Sequence, residues 1–153
     1  ISQSALNQAA ASASAAGIGT GIHWRQYDLG TDFPDGTWDL VNVAYLHSPV
    51  ALSRERILRR AASAVAPGGT LIIIGHQGTR SWPTPAEQSG HSPSAHSEQG
   101  HSSYELPSVD EVLAKLDLDG WAVVHTGDVT VTRATPDGTL NTHVDNVIRL
   151  QRD

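Results

Sequence analysis

The chain has 153 residues, of which 39 % are hydrophobic and 17 % charged, enough for one domain with a core of its own. Its formal net charge of −6 argues against a nucleic-acid backbone or an anionic membrane as partner. The absence of cysteine removes disulfides, thiolate nucleophiles and cysteine-based zinc sites together, and no apolar run nears the roughly 18 residues that a membrane span needs.

Ser2 to Ala16 reads as a helix, with Ala5, Leu6, Ala9, Ala10 and Ala13 on one face and Gly17 where a helix end favours positive φ. The segment carries neither a basic region nor an apolar core, so it is no signal peptide, and a cytoplasmic location is expected. A short strand is expected over Gly21 to Asp28, followed by turn chemistry at Asp32-Phe33-Pro34-Asp35-Gly36. Trp38 to Ala44 reads as a second strand. A helix follows from about Leu52 to Val65, with Ile57, Leu58, Ala61, Ala62 and Val65 on its apolar face, stopped by Pro67-Gly68-Gly69. Thr70 to Gly75 is apolar on both faces, the pattern of a central parallel strand covered by helices.

Gln77 to Leu106 is rich in Ser, Gly, Pro, His and Gln and reads as a long polar loop or lid. His91, His96 and His101 recur there every five residues. That spacing does not place three imidazoles on one helix face, so a solvated loop is preferred to a metal site and no metal is expected. Ser108-Val109-Asp110-Glu111 is a capping box, leading into a stripe of Val109, Val112, Leu113 and Leu116. Trp121 to Arg133 and His143 to Gln151 read as two strands joined through Pro136-Asp137-Gly138, pairing antiparallel. The alternation predicts a single α/β domain over residues 1–153: a Rossmann-like, mostly parallel sheet with helices on both faces, closed by a C-terminal antiparallel hairpin.

Taken in order, these segments resemble the class I S-adenosylmethionine-dependent methyltransferases. The resemblance rests on Tyr27-Asp28-Leu29, on Trp38-Asp39-Leu40-Val41 running into Val43-Ala44-Tyr45-Leu46-His47, on Ala66-Pro67-Gly68-Gly69-Thr70-Leu71, and on the late helix with Gly120-Trp121. It implies methyl transfer with S-adenosylmethionine as cofactor. Ile1 would pack on the adenine, Asp28 would accept from its amine, and Leu29 would add a contact. Val43 and Ala44 would meet the methionine end of the cofactor by backbone carbonyls. Tyr45 and His47 are the candidate catalytic residues, His47 as a general base and Tyr45 lining the pocket. Asp39 is better read as a turn cap or ion-pair partner, and His76 with Gln77 stands where an acceptor could lie.

The family's glycine-rich cofactor loop has no counterpart here. Gly17-Ile18-Gly19-Thr20-Gly21 follows a helix rather than a strand and reads as a connector. The resemblance therefore implies an N-terminally incomplete domain that by itself binds cofactor poorly. The acidity favours a small-molecule acceptor, and a homodimer is compatible with the sequence. Short-chain reductase chemistry is excluded because the residue four before the sole lysine, Lys115, is Glu111 rather than Tyr; a P-loop kinase lacks its Gly-Lys-Ser/Thr. The alternative that survives is a non-catalytic methyltransferase-like module for binding or dimerisation.

Overall fold

The structure, a computed structural model, describes residues 2–46, 52–77, 79–82, 102–134 and 138–153. The chain divides into two compact units, Ile1–Gly36 and Thr37–Asp153. In the first, helix α1 spans Gln3–Ala15, started by Ser2, whose hydroxyl accepts from the Ala5 N–H. It closes on Gly17 at φ 71°, where Gly17 N–H donates to the Ser14 carbonyl and Ile18 N–H to that of Ala13. This paired closure needs the left-handed conformation that glycine adopts without strain. The strand expected over Gly21 to Asp28 is absent, since residues 22–28 carry no regular structure. Period-2 polarity gives a strand a preferred face, but only a ladder partner holds it extended.

The second unit holds a mixed sheet. Strands β1 (Trp38–Ala44), β2 (Val65–His76), β5 (Trp121–Ala134) and β6 (Leu140–Arg152) lie in the order β1-β2-β6-β5. β1 and β2 are parallel, and β6 runs antiparallel to both β2 and β5. The hairpin is thus as expected, while the sheet is mixed rather than mostly parallel. In the polar segment, Thr79–Trp82 (β3) and Ser102–Glu105 (β4) form a two-stranded antiparallel ribbon inside the stretch that reads as a long polar loop or lid. Thr79, Trp82 and Tyr104 supply the strand preference that the surrounding serines and glycines obscure. The histidines at 91, 96 and 101 lie outside the described residues.

Helix α2 (Arg54–Ser63) lies against β1 and β2, and α3 (Val109–Ala114) against β6. Both are amphipathic: α2 buries Ile57, Leu58 and Ala61, and α3 buries Val112, with Leu116 following. The Ser108–Glu111 capping box forms as read. The core of the unit is one face of the sheet. Leu71 opposite Leu150 and Ile73 opposite Ile148 are all fully buried, with Val41 and Val43 of β1 beside them in register. The alternate positions, Ile72, Ile74 and Val147, are half-buried, and Leu40 and Ala44 are exposed. Thr70 to Gly75 is therefore covered on one face, not both. Parity along each strand decides which residues reach the second face.

α2 ends before Pro67-Gly68-Gly69, which does not stop it. That turn is a bulge inside β2, where a two-residue step along β1 (Trp38 to Leu40) is matched by a five-residue step along β2 (Val65 to Thr70). Gly68 sits at φ 76°. A Cβ on Gly69 would fall 2.7 Å from Val65 Cγ1, 2.8 Å from the Ala66 carbonyl oxygen and 3.0 Å from that of Asp39. Gln151 Nε2 ties the bulge down by donating to the Gly68 carbonyl.

Candidate functional site

At the carboxyl ends of β1 and β2, on the half-open face of the sheet, four side chains converge. His76 ends β2 and stands opposite Asp145 of β6 in register. His143, two residues before Asp145, shares its face. Tyr45 follows the last residue of β1, held by its N–H to the Ile74 carbonyl at 2.8 Å. Three of the four positions are thus set by the backbone ladder, not by a loop.

Asp145 is the centre. It is 2 % exposed, buried beneath the three rings. Its Oδ2 accepts from the Tyr45 hydroxyl at 2.7 Å, and its Oδ1 lies 2.7 Å from His76 Nδ1 and 3.5 Å from His143 Nε2. The Tyr45 and His76 rings stack at a 33° tilt with centroids 4.7 Å apart; His143 meets the His76 ring edge-on at 5.1 Å. Burial pushes the Asp145 carboxyl up, but the hydrogen bonds from Tyr45 and His76 and the positive charge of His76 and His143 outweigh it. The net effect holds the carboxyl below its ordinary value. An ionised Asp145 can only accept, so His76 Nδ1 carries the proton between them. The same bond, then burial and the Asp145 charge, push the Tyr45 hydroxyl up, with Arg133 opposing.

Tyr45 has φ 54°, the one non-glycine residue with positive φ among the described residues. A bulky side chain there costs on the order of 1–2 kcal/mol and persists only where surrounding contacts hold it. The bond to Asp145 and the stack on His76 are those contacts.

The residues singled out from the sequence fall as follows. Ala44 lies on the face of the cluster, in register with Ile74, whereas Val43 faces the buried side. Ile1 and His47 lie outside the described residues. Asp28, in the first unit, is exposed. Its Oδ1 accepts from the Gly30 N–H at 3.0 Å, and its carbonyl accepts from the N–H groups of Thr31 and Asp32. This is an Asx-type turn, with Leu29 half-buried inside it. The side chain of Asp39 is exposed.

Sequence reading missed Asp145 and His143. Their signal was available: within the return strand, His143-Val144-Asp145 places two chemically active side chains two residues apart, on one face. Such a pair in a strand that pairs on both sides is costly unless partnered.

No family model matches the chain, and neither does any curated protein. Solved structures do match its fold. One, from work on the conversion of a disulfide bond into a thioacetal group during echinomycin biosynthesis, superposes with a TM-score of 0.61 at 18 % identity, over 99 % of this chain. The N-methyltransferase NodS from Bradyrhizobium japonicum WM9 gives 0.54 at 16 %, and a SAM-dependent methyltransferase from Methanosarcina mazei 0.56 at 14 %, each again over 99 % of this chain. The chain spans 63 %, 69 % and 79 % of these three structures respectively. It therefore has a class I methyltransferase-like fold. Among the described residues, no helix is long and apolar enough to cross a membrane.

Proposed function

We propose that the protein takes part in S-adenosylmethionine-dependent methyl transfer to a small-molecule acceptor. The observation that carries this reading is the position of the Tyr45–His76–Asp145 cluster. It sits at the carboxyl ends of the parallel pair, where open α/β sheets hold their ligands, on a fold shared with SAM-dependent methyltransferases.

S-adenosylmethionine, when bound, supplies a sulfonium methyl. The chain's part is to hold and shield the two reactants, since displacement at such a methyl gains much of its rate from proximity and exclusion of water. Asp28 fits an adenine amine as an exposed carboxylate whose direction a turn has already fixed. Ile1 and Leu29 would flank the adenine, and the carbonyls of Val43 and Ala44 would take the methionine ammonium. Tyr45 would line the acceptor end, its hydroxyl oriented by Asp145. His47 is the neighbouring candidate for a base, although methyl transfer to a good nucleophile needs none.

Calorimetric titration of S-adenosylhomocysteine into the protein tests this reading. Micromolar binding is expected, weakened by about 1–2 kcal/mol in Asp28→Ala. No binding would overturn methyl transfer in favour of a non-catalytic module. Unchanged affinity in Asp28→Ala would remove that residue from the site.

A further inference from the structure

We propose that His76, His143 and Asp145 form a binding site for a divalent first-row transition cation, of which zinc is the type. The three offer one ligand atom each, all within 4.8 Å of one another. His76 Nδ1 lies 2.7 Å from Asp145 Oδ1, and His143 Nε2 lies 3.5 Å from the same oxygen. Metal–nitrogen and metal–oxygen bonds of about 2.0–2.2 Å put neighbouring ligand atoms about 3 Å apart in octahedral sites and about 3.4 Å apart in tetrahedral ones. The two separations bracket those values. A cation at the centre of the triangle takes the place of the proton shared between His76 and Asp145.

The donor set selects the metal class. Two imidazoles with one carboxylate suit zinc, iron, cobalt or nickel; calcium and magnesium prefer all-oxygen sites. Three protein ligands leave positions open on the solvent side, where the His76 and His143 side chains keep 23 % and 22 % exposure. The support is also that of a metal site. Tyr45 holds the second carboxylate oxygen, as partners of ligating carboxylates do. All three ligands stand on adjacent strands, so little conformational entropy is left to lose on binding. On β5, Val129 and Val131 are in register with Asp145 and His143 and give the site an apolar flank. The proposal does not rest on methyl transfer, because it needs only these three side chains.

The test is calorimetric titration of zinc chloride into the chelator-treated chain, with cobalt(II) absorption as a second readout. One equivalent should bind with a dissociation constant below about 10 μM. His143→Gln and His76→Gln should each weaken binding at least tenfold, while His23→Ala and His125→Ala leave it unchanged. A combined His91→Ala, His96→Ala, His101→Ala variant should also bind normally. The proposal is overturned if the wild type binds no equivalent, if binding survives His143→Gln, or if it disappears in the triple variant, which would place the cation on the polar segment instead. Should the glutamine variants fail to fold, the cobalt spectrum of the wild type decides. Visible bands of nitrogen-ligated cobalt that vanish on adding zinc support the site, and a spectrum unchanged from aqueous cobalt refutes it. S-adenosylhomocysteine affinity is measured separately, so failure of either proposal leaves the other readable.

Discussion

At the scale of single residues, the fold leans on a few positions whose chemistry admits no substitute. Gly69 is one. Its missing Cβ leaves room for Val65 Cγ1 and two carbonyl oxygens, so Gly69→Ala must push backbone aside and should cost about 1–3 kcal/mol in urea unfolding. Gly68→Ala differs in kind: nothing stands within 4 Å of the added carbon, but φ is 76°, and the expected loss is about 1 kcal/mol of backbone strain. A larger loss at Gly68 than at Gly69 would mean that conformation, not crowding, fixes the bulge. Tyr45 depends on partners instead. Tyr45→Phe removes the hydroxyl that satisfies Asp145 Oδ2 and should destabilise by about 1–2 kcal/mol. The Asp145 carboxyl should then titrate at higher pH, as carbon-13 NMR of the side chain would show.

The elements divide by how much they draw on distant chain. α1 and α3 are locally encoded, through the Ser2 cap with its glycine closure and the Ser108–Glu111 box. Ser108→Ala should cost about 1 kcal/mol, seen as increased amide exchange in α3 alone. β2 and β6 are encoded by packing. Ile148 is fully buried opposite Ile73, and Ile148→Ala should cost about 2–5 kcal/mol in global stability. A loss under 1 kcal/mol would show that the covered face collapses around the deletion and is loosely packed. The strand expected over Gly21 to Asp28 marks the limit of local reading, for its alternation is real yet residues 22–28 form no ladder.

For the molecule as a whole, Asp145 links the site to stability. Its carboxyl titrates lower in the folded chain than the roughly 3.9 of an unfolded aspartate. Between those two values the unfolded chain binds more protons, so stability rises with pH there. The contribution is complete above about pH 4 and is lost as pH falls through the folded value. Urea midpoints of the chelator-treated protein should therefore drop steeply below pH 4. Asp145→Asn should flatten that limb, and an unchanged acid limb in the variant would assign it to other carboxylates.

The chain's own sequence determined the α/β class, the glycine closure of α1, the Ser108–Glu111 capping box and the C-terminal hairpin. Each rests on local chemistry: a cap on a hydroxyl three residues from its donor, a hairpin on a turn between alternating strands. It also pointed to Tyr45 and His76, because strand ends before polar stretches are legible as such. The mixed sheet, the single covered face, the bulge at Pro67-Gly68-Gly69 and the meeting of Tyr45, His76, His143 and Asp145 were settled only by tertiary structure. Tyr45 and Asp145 lie 100 residues apart in the chain, and no local pattern holds a register between strands. Pairing between β2 and β6 sets which side chains share a face, and a shift of one residue would have sent Asp145 to the opposite side of the sheet.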